Sequence, residues 1–454
     1  MRVHFIAIGG AAMHNLAIAL HKKNYIVTGS DDEIFEPSRS RLAKYGLLPE
    51  NTGWNPEKLN GNIDAVILGM HARNDNPELI RAKELGLKIY SYPEYIYEQS
   101  KDKKRIVIGG SHGKTTITSM VLHVFKQTNR KFDYLVGAQI EGFETMVGLS
   151  NDAAYMIIEG DEYLSSALDP RPKFHLYKPH IAVISGIAWD HINVFPTFEN
   201  YVEQFKIFTD TIEPNGHLIY YKNDKELVKI AEQLRNDITK HPYEAHKYEL
   251  INGKTYLVTP GNEKIELQIF GEHNLQNINA AKHICLLSGI NEDEFYSAIA
   301  SFKGAAKRLQ LLNKNENTKV FLDFAHSPSK LKATITAVKS QYPDHKLVAC
   351  MELHTFSSLK ADFLPQYKDS MKNADIAFVY FNPHTVEHKK LENISPEQVK
   401  QAFGTDNVKV FTDSDLLQQE LLNIDYKNKN LLLMSSGNFN GIDFKEFSEK
   451  ILNK

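Results

Sequence analysis

Apolar residues in this chain gather in short runs, and between the runs they recur at the spacing of one helix face. Runs at residues 3–8, 25–28, 65–68 and 88–91 read as strands, with helical spacing over 13–20 and 77–85. The same alternation returns with apolar runs at 106–108, 155–158 and 181–185, and again at 320–322, 347–351, 376–380 and 431–434. One stretch breaks the rhythm. After a helical segment over 224–236, residues 247–270 alternate strands with Asn252-Gly253 and Gly261-Asn262 turns, the signature of a hairpin meander. A helix rich in alanine and isoleucine opens at Gly271. The charged stretch 99–105 reads as a first linker or a solvated helix end, which places α/β units at 1–104, 105–302 and 303–454.

Composition narrows the function classes. The 454 residues are 42% hydrophobic and 24% charged with a net charge of −3, enough chain for about three globular domains. No basic block favours nucleic acid, so a phosphate-rich ligand must be held by local charge. Cys285 and Cys350 lie in apolar surroundings without metal-ligand spacing, which suits a reducing compartment and argues against a catalytic thiol. The first residues run into an apolar strand with no signal-peptide layout, and no apolar run is long enough to span a membrane. The expectation is a cytoplasmic protein with no membrane partner.

Chemistry concentrates where strands end. Strand 106–108 meets Gly109-Gly110-Ser111-His112-Gly113-Lys114-Thr115-Thr116, and helical spacing follows. Small residues let backbone N–H groups close around phosphate oxygens, the helix N-terminus adds positive potential, Lys114 neutralises terminal phosphates and Thr115 holds Mg²⁺. The usual pattern has a glycine at position 108, where this chain has Ile108. A second glycine turn, Gly9-Gly10-Ala11-Ala12, follows the first strand, and Ser30 and Asp31 end the next one where a ribose hydroxyl would be met. Its fingerprint is degraded, so a nicotinamide cofactor is a weak reading.

Two more strand ends carry polar groups, Glu159-Gly160-Asp161-Glu162 and Trp189-Asp190-His191. In an open parallel sheet Glu159 and His191 would face the crevice of Lys114 and Thr115 and suit a Mg²⁺. Each also has an ordinary reading, Glu159 as a loop cap and His191 as a structural histidine. Asn274 and Asn277 share one helical face and either read an adenine edge or cap the helix.

Taken together, the glycine loop through Thr116, Glu159-Gly160-Asp161-Glu162, Asp190-His191, Gly271-Glu272-His273-Asn274 with Asn277, Arg308, and Asp323-Phe324-Ala325-His326 with Pro328 resemble the Mur ligases in order and spacing along essentially the whole chain. These are the ATP-dependent amide-forming enzymes of bacterial cell-wall precursors. The resemblance implies a Rossmann-like UDP-binding domain, a central P-loop ATPase-like domain with the meander, and a C-terminal Rossmann-like domain; because Lys114, Arg308 and Asp323 fall on different units, the expectation is that the C-terminal domain closes over the central one. It implies ATP and Mg²⁺, with the muramyl carboxylate activated as an acyl phosphate and then attacked by an amine. Lys114, Glu159, His191, Arg308 and His326 would form the catalytic set. Gly110 to Thr116 with Asn274, Asn277, Arg308 and Asp323 would hold ATP, with the asparagines at adenine and Asp323 at the ribose. Thr115, Glu159 and His191 would hold the metal ions, and Lys206 stands at the offset where several members carry a carbamylated lysine ligand. Gly9, Gly10, Ala11, Ala12, Ser30 and Asp31 would bind UDP. The stretches 31–42, 169–179 with 190–196, and 434–442 resemble members that add the murein tripeptide L-alanyl-γ-D-glutamyl-meso-diaminopimelate to UDP-N-acetylmuramic acid in peptidoglycan recycling; L-alanine is the alternative amino substrate, and a decayed nucleotide-binding site the alternative outside catalysis. At Leu353-His354-Thr355-Phe356-Ser357-Ser358 the chain follows neither the His-Arg-Tyr-Ser-Arg of alanine-adding members nor the Pro-Arg-Ser-Asn of tripeptide-adding ones.

Overall fold

Every apolar run named above holds a strand in the computed structural model, which describes residues 1–70, 72–405 and 407–453, although the first strand stops at Ile6 and not at Ile8. The first sheet is wholly parallel, in the order β2–β1–β3–β4, from β1 (Arg2–Ile6), β2 (Ile26–Ser30), β3 (Ala65–Leu68) and β4 (Ile89–Ser91). Helices α1 (Ala11–Lys22), α2 (Ser38–Lys44), α3 (Pro77–Glu84) and α4 (Tyr92–Glu98) accompany it. Ser91 opens α4 with a full capping box to Glu94, a helix the apolar spacing did not reveal.

The central sheet contains β5 (Lys104–Gly109), β6 (Phe132–Leu135), β7 (Val147–Gly148), β8 (Tyr155–Glu159), β9 (Ile181–Ile184), β10 (His217–Tyr221) and β11 (Thr239–Tyr243), in the order β11–β10–β9–β5–β8–β6–β7. Only β7 runs antiparallel to its neighbour. Helices α5 (Lys114–Gln127), α6 (Phe198–Asp210) and α7 (Lys225–Glu232) belong to this part. In the charged stretch before it, the reading as solvated is corrected at two residues. Lys103 and Arg105 are buried: Lys103 pairs with Asp133 at 2.7 Å, and Arg105 donates to the carbonyls of Ser100, Lys101, Lys103, Tyr177 and Lys178 and to Glu213. A guanidinium has enough fixed donors to satisfy several carbonyls at once, so the cation ties the strand down instead of solvating it.

The meander forms as expected, an antiparallel sheet of β12 (Tyr248–Ile251), β13 (Lys254–Val258) and β14 (Lys264–Glu266), with positive φ at Asn252, Gly253 and Asn262 where the turns demand it. Then come α8 (Glu272–Leu287), α9 (Glu292–Ile299) and α10 (Pro328–Gln341).

The last sheet, β15–β16–β20–β17–β18–β19, uses β15 (Gln310–Lys314), β16 (Lys319–Asp323), β17 (Lys346–Leu353), β18 (Ile376–Phe381), β19 (Val408–Phe411) and β20 (Lys429–Met434), parallel except at β15. Neighbouring residues of one strand feed opposite cores: Phe321, Met351 and Leu432 join one cluster, Val320, Cys350 and Leu433 the other. Both faces are covered, which is why these strands read as continuous apolar runs.

The chain gathers into two compact units, one of residues 1–187, 197–244 and 280–298, the other of residues 188–196, 245–279 and 299–454. Both cysteines are buried free thiols, and no helix among the described residues is long and apolar enough to cross a membrane.

Candidate active site

In the first unit, β5 delivers the phosphate loop. Ile108, which stands where a glycine was expected, is a fully buried strand residue, so the loop proper begins only at Gly109 and does not need it. Gly110 takes φ +121°, and a Cβ there would stand 2.7 Å from the Ser185 backbone nitrogen. Gly113 takes φ +72° and leads into α5 without a side-chain cap. Glycine meets both demands, a left-handed backbone and a close approach. The end of β9 braces the loop: Ser111 N donates to Gly186 O at 2.9 Å, and the Ser185 hydroxyl donates to the His112 carbonyl.

Two carboxylates organise the first turn of α5. The Thr115 hydroxyl donates to Glu159 Oε1 at 2.8 Å, and Gly137 N donates to Glu159 Oε2 at 2.7 Å. A Cβ on Gly137 would meet that carboxylate at 2.8 Å. Lys114 Nζ donates to Gly110 O at 2.7 Å and to Glu162 Oε2 at 2.6 Å. Burial works against its charge, but the carboxylates of Glu162, Asp161 and Glu159 outweigh it and hold the ammonium above the usual lysine value. Glu162 is itself buried and accepts from the Tyr201 hydroxyl at 3.2 Å, which also meets Ser111 Oγ at 2.9 Å. Asp161 pairs with Lys173 at 2.6 Å. Glu162, Tyr201 and Lys173 were not singled out from the sequence; Glu162 and Lys173 lie in stretches already noted, and Tyr201 carries no local signal.

The hard oxygens of Thr115 and Glu159 beside a phosphate loop fit Mg²⁺, which takes few protein ligands and completes its shell with water and phosphate. Lys206 stands on the exposed side of α6, and among the described residues no three His, Cys, Asp or Glu side chains gather as a metal centre.

The glycine turn after β1 also lies in this unit. Ala7 adopts φ +69°, Ala7 N and Ile8 N donate to Ser30 O, and Gly9 N donates to Asp31 Oδ2 at 2.6 Å. Burial pushes the Asp31 carboxyl up to about 6. Gly10 precedes α1, whose N-terminus has no side-chain cap and begins with exposed Ala11 and Ala12, the open backbone donors an anion requires.

The second unit holds the remaining residues. His191 sits at φ +53° and its N–H meets Asp190 Oδ1 at 2.8 Å. Burial would raise the Asp190 carboxyl, but His326, His191 and Lys330 hold it well below the usual carboxylate range; His326 Nε2 stands 3.9 Å from Asp190 Oδ2. Asp190 and Lys330 were not among the expected site residues. The Arg308 guanidinium lies 4.5 Å over the Phe324 ring. Asp323 accepts from Leu309 N and the Thr334 hydroxyl, both at 3.1 Å, and burial pushes its carboxyl up to about 6. Asn274 and Asn277 are both buried on α8, and Asn274 Nδ2 donates to Phe270 O at 2.8 Å. Asn274 thus has a structural task whatever else it contacts.

Comparison with known proteins places these residues in a family. Three domain models cover most of the chain: the catalytic domain of the Mur ligase family matches residues 2–104, the Mur ligase middle domain 108–285, and the Mur ligase glutamate ligase domain 307–437. UDP-N-acetylmuramate–L-alanine ligase of Caldicellulosiruptor bescii is 30% identical over 87% of this chain and 86% of its own length. This chain is a Mur ligase. The ligase of the same name from Limosilactobacillus reuteri is 28% identical over 98% of this Mur ligase and 97% of its own length. Among solved structures, UDP-N-acetylmuramate–alanine ligase from Thermotoga maritima aligns with a TM-score of 0.69 at 19% identity, and a murein peptide ligase from Psychrobacter arcticus with 0.64 at 21%; each covers 100% of this chain and 98% of its own. Both support the fold. As a Mur ligase the protein is an ATP-dependent enzyme of peptidoglycan-precursor chemistry that uses Mg²⁺, forms a C–N bond and acts on UDP-N-acetylmuramic acid substrates with an amino acid or peptide.

Proposed function

We propose that this Mur ligase joins UDP-N-acetylmuramic acid to the tripeptide L-alanyl-γ-D-glutamyl-meso-diaminopimelate, a recycling reaction of the cytoplasm. The observation that carries the reading is the likeness of residues 31–42, 169–179 with 190–196, and 434–442 to tripeptide-adding members. Alanine-adding members tend to carry arginines where this chain has Thr355 and Ser358. Here, in the turn after β17, Ser358 is buried, its N–H and hydroxyl closing on the Thr355 hydroxyl and carbonyl at 3.2 and 3.0 Å. The names of the relatives favour L-alanine as the second reading.

Lys114 is the group that meets the transferring phosphoryl charge, exchanging its bond to Glu162 for phosphate oxygens. Thr115 and Glu159 would hold a metal, with His191 as a further ligand; Mg²⁺ there supplies Lewis-acid neutralisation of phosphate charge. Arg308 faces the phosphates, Asp323 the ribose, and Asn274 and Asn277 the adenine, while His326 lines the site. The turn from Gly9 to Ala12 with Ser30 and Asp31 receives UDP. A muramyl carboxylate oxygen attacks the γ-phosphorus and ADP leaves; the peptide amine then attacks the acyl carbon and phosphate leaves.

Phosphate release and product mass test this, with purified protein, Mg-ATP and UDP-N-acetylmuramic acid offered the tripeptide or L-alanine. The expected result is turnover with tripeptide and a product heavier by the tripeptide less water. Turnover with L-alanine alone overturns the peptide assignment, and silence with both overturns the ligase reading.

A further inference from the structure

At the carboxyl ends of β17 and β20, side by side in the last sheet, a buried carboxylate stands beside an imidazole. Glu352, 3% exposed, accepts from the Ser435 hydroxyl and from Phe439 N at 2.9 Å, and its other oxygen stands 3.5 Å from His354 Nδ1. Gly437 leaves the space: a Cβ there would stand 2.8 Å from Glu352 Oε2 and 3.0 Å from His354 Nδ1. The Ser435 backbone donates to Asp323 O at 3.0 Å, so this loop is fastened to the end of β16 as well. His354 itself is 40% exposed, and its Nε2 makes no hydrogen bond among the described residues.

Three adjacent parallel strands therefore place Asp323, Ser435 and Glu352 along one carboxyl edge, where open α/β sheets receive ligands. The charge of this edge selects the ligand. Burial would favour the neutral acid, but His354, Ser435 and Phe439 N–H keep Glu352 ionised. Tyr380 on β18 and Cys350 on β17 face the same carboxylate and stay neutral, the phenol pushed up to about 12 and the thiol well up. Asp413 and Asp415 lie beyond Tyr380 and add negative potential. Beside Glu352 and His354 a positively charged group is favoured.

We propose that His354, beside Glu352, is the proton acceptor for the ammonium group of the incoming amino substrate. The assignment rests on the ligase reading but not on which amino substrate is used. One ammonium proton passes to His354 Nε2, giving an imidazolium that Glu352 stabilises across Nδ1. The freed lone pair forms the C–N bond at the acyl phosphate carbonyl, the carbon–oxygen bond to phosphate breaks, and phosphate departs with the electron pair. The second nitrogen proton leaves to phosphate or water, and His354 returns its own to water. His354 is thus a catalytic residue and Glu352 a positioning residue.

The test compares wild type, His354→Gln and Glu352→Gln, using whichever amino substrate turns over. General-base removal costs about 10²-fold or more in rate, so His354→Gln should lose about that much kcat at pH 7 with little change in KM for UDP-N-acetylmuramic acid. The loss should shrink as pH rises toward the amine's own pKa, because free amine needs no base. Glu352→Gln should shift the acid limb of kcat/KM to lower pH, since the imidazolium loses its partner. Hydroxylamine, already neutral at pH 7, should trap the acyl group as hydroxamate equally well with wild type and His354→Gln. A His354→Gln enzyme with unchanged kcat, or with the same loss at every pH, overturns the proposal. Wild type that forms neither hydroxamate nor amide overturns the ligase reading instead.

Discussion

Asp323 shows how a single buried side chain sets stability against function. Its carboxyl has an ordinary value of 3.8 and is pushed up to about 6 by burial, with Arg308, Thr334 and the N–H groups of Leu309 and Ala325 offsetting only part of that cost. The folded chain therefore keeps a proton that the unfolded chain releases between about pH 4 and 6. Its contribution to stability is present below about pH 4 and lost as pH rises through about 6, a loss of roughly 3 kcal/mol at neutral pH. Asp323→Asn keeps an oxygen for Leu309 N and never ionises. Its melting temperature should exceed that of wild type at pH 8, with the gap closing toward pH 4.5, while KM for ATP rises because the proposed ribose contact is weakened. Thermal melts across that range check the sign. A gap that stays constant with pH would mean the effect is packing and not charge.

At the scale of elements, strand ends were legible and their supports were not. Lys114, Thr115 and Glu159 announce themselves because a phosphate loop is a local pattern, strand, glycines and helix in sequence. Glu162 bound to Lys114, and Asp190 beside His326, depend on partners far along the chain, and no local spacing encodes them. Arg105 was misread for the same reason: a charge next to other charges looks solvated until the carbonyls of residues 177 and 178 are known to surround it. Removing a buried cation strands Glu213 and five carbonyls, and losing one partner of a buried pair typically costs about 3–5 kcal/mol. Arg105→Ala should be destabilised by that amount in urea unfolding, whereas Lys101→Ala, on an exposed pair with Glu98, should change little. Equal effects of the two substitutions would return the stretch to the role of a solvated linker.

For the whole molecule, strands buried on both faces were legible as unbroken apolar runs, whereas the edge strands of the last sheet were not. β15 reads Gln-Leu-Leu-Asn-Lys and pairs antiparallel with a register shift, and β19 is a short half-exposed edge. Strand order carries no trace in the sequence either, since β20 inserts between β16 and β17 although it comes last. What the first sheet adds to function can be read separately from the phosphate loop. Its glycine turn resembles a dinucleotide fingerprint, yet the exposed, uncapped N-terminus of α1 suits the diphosphate of any nucleotide. Hydrogen exchange distinguishes the occupants without requiring turnover. Gly9 N–H is already held by Asp31, so Gly10, Ala11 and Ala12 are the reporters. UDP-N-acetylmuramic acid should slow exchange there by about tenfold or more, as expected when open amides gain an acceptor and opening is disfavoured by bound ligand. NADH at the same concentration should leave the segment unchanged. Protection by NADH, or none by the UDP-sugar, would remove UDP from this turn while leaving the ATP assignment of Lys114 and Thr115 standing.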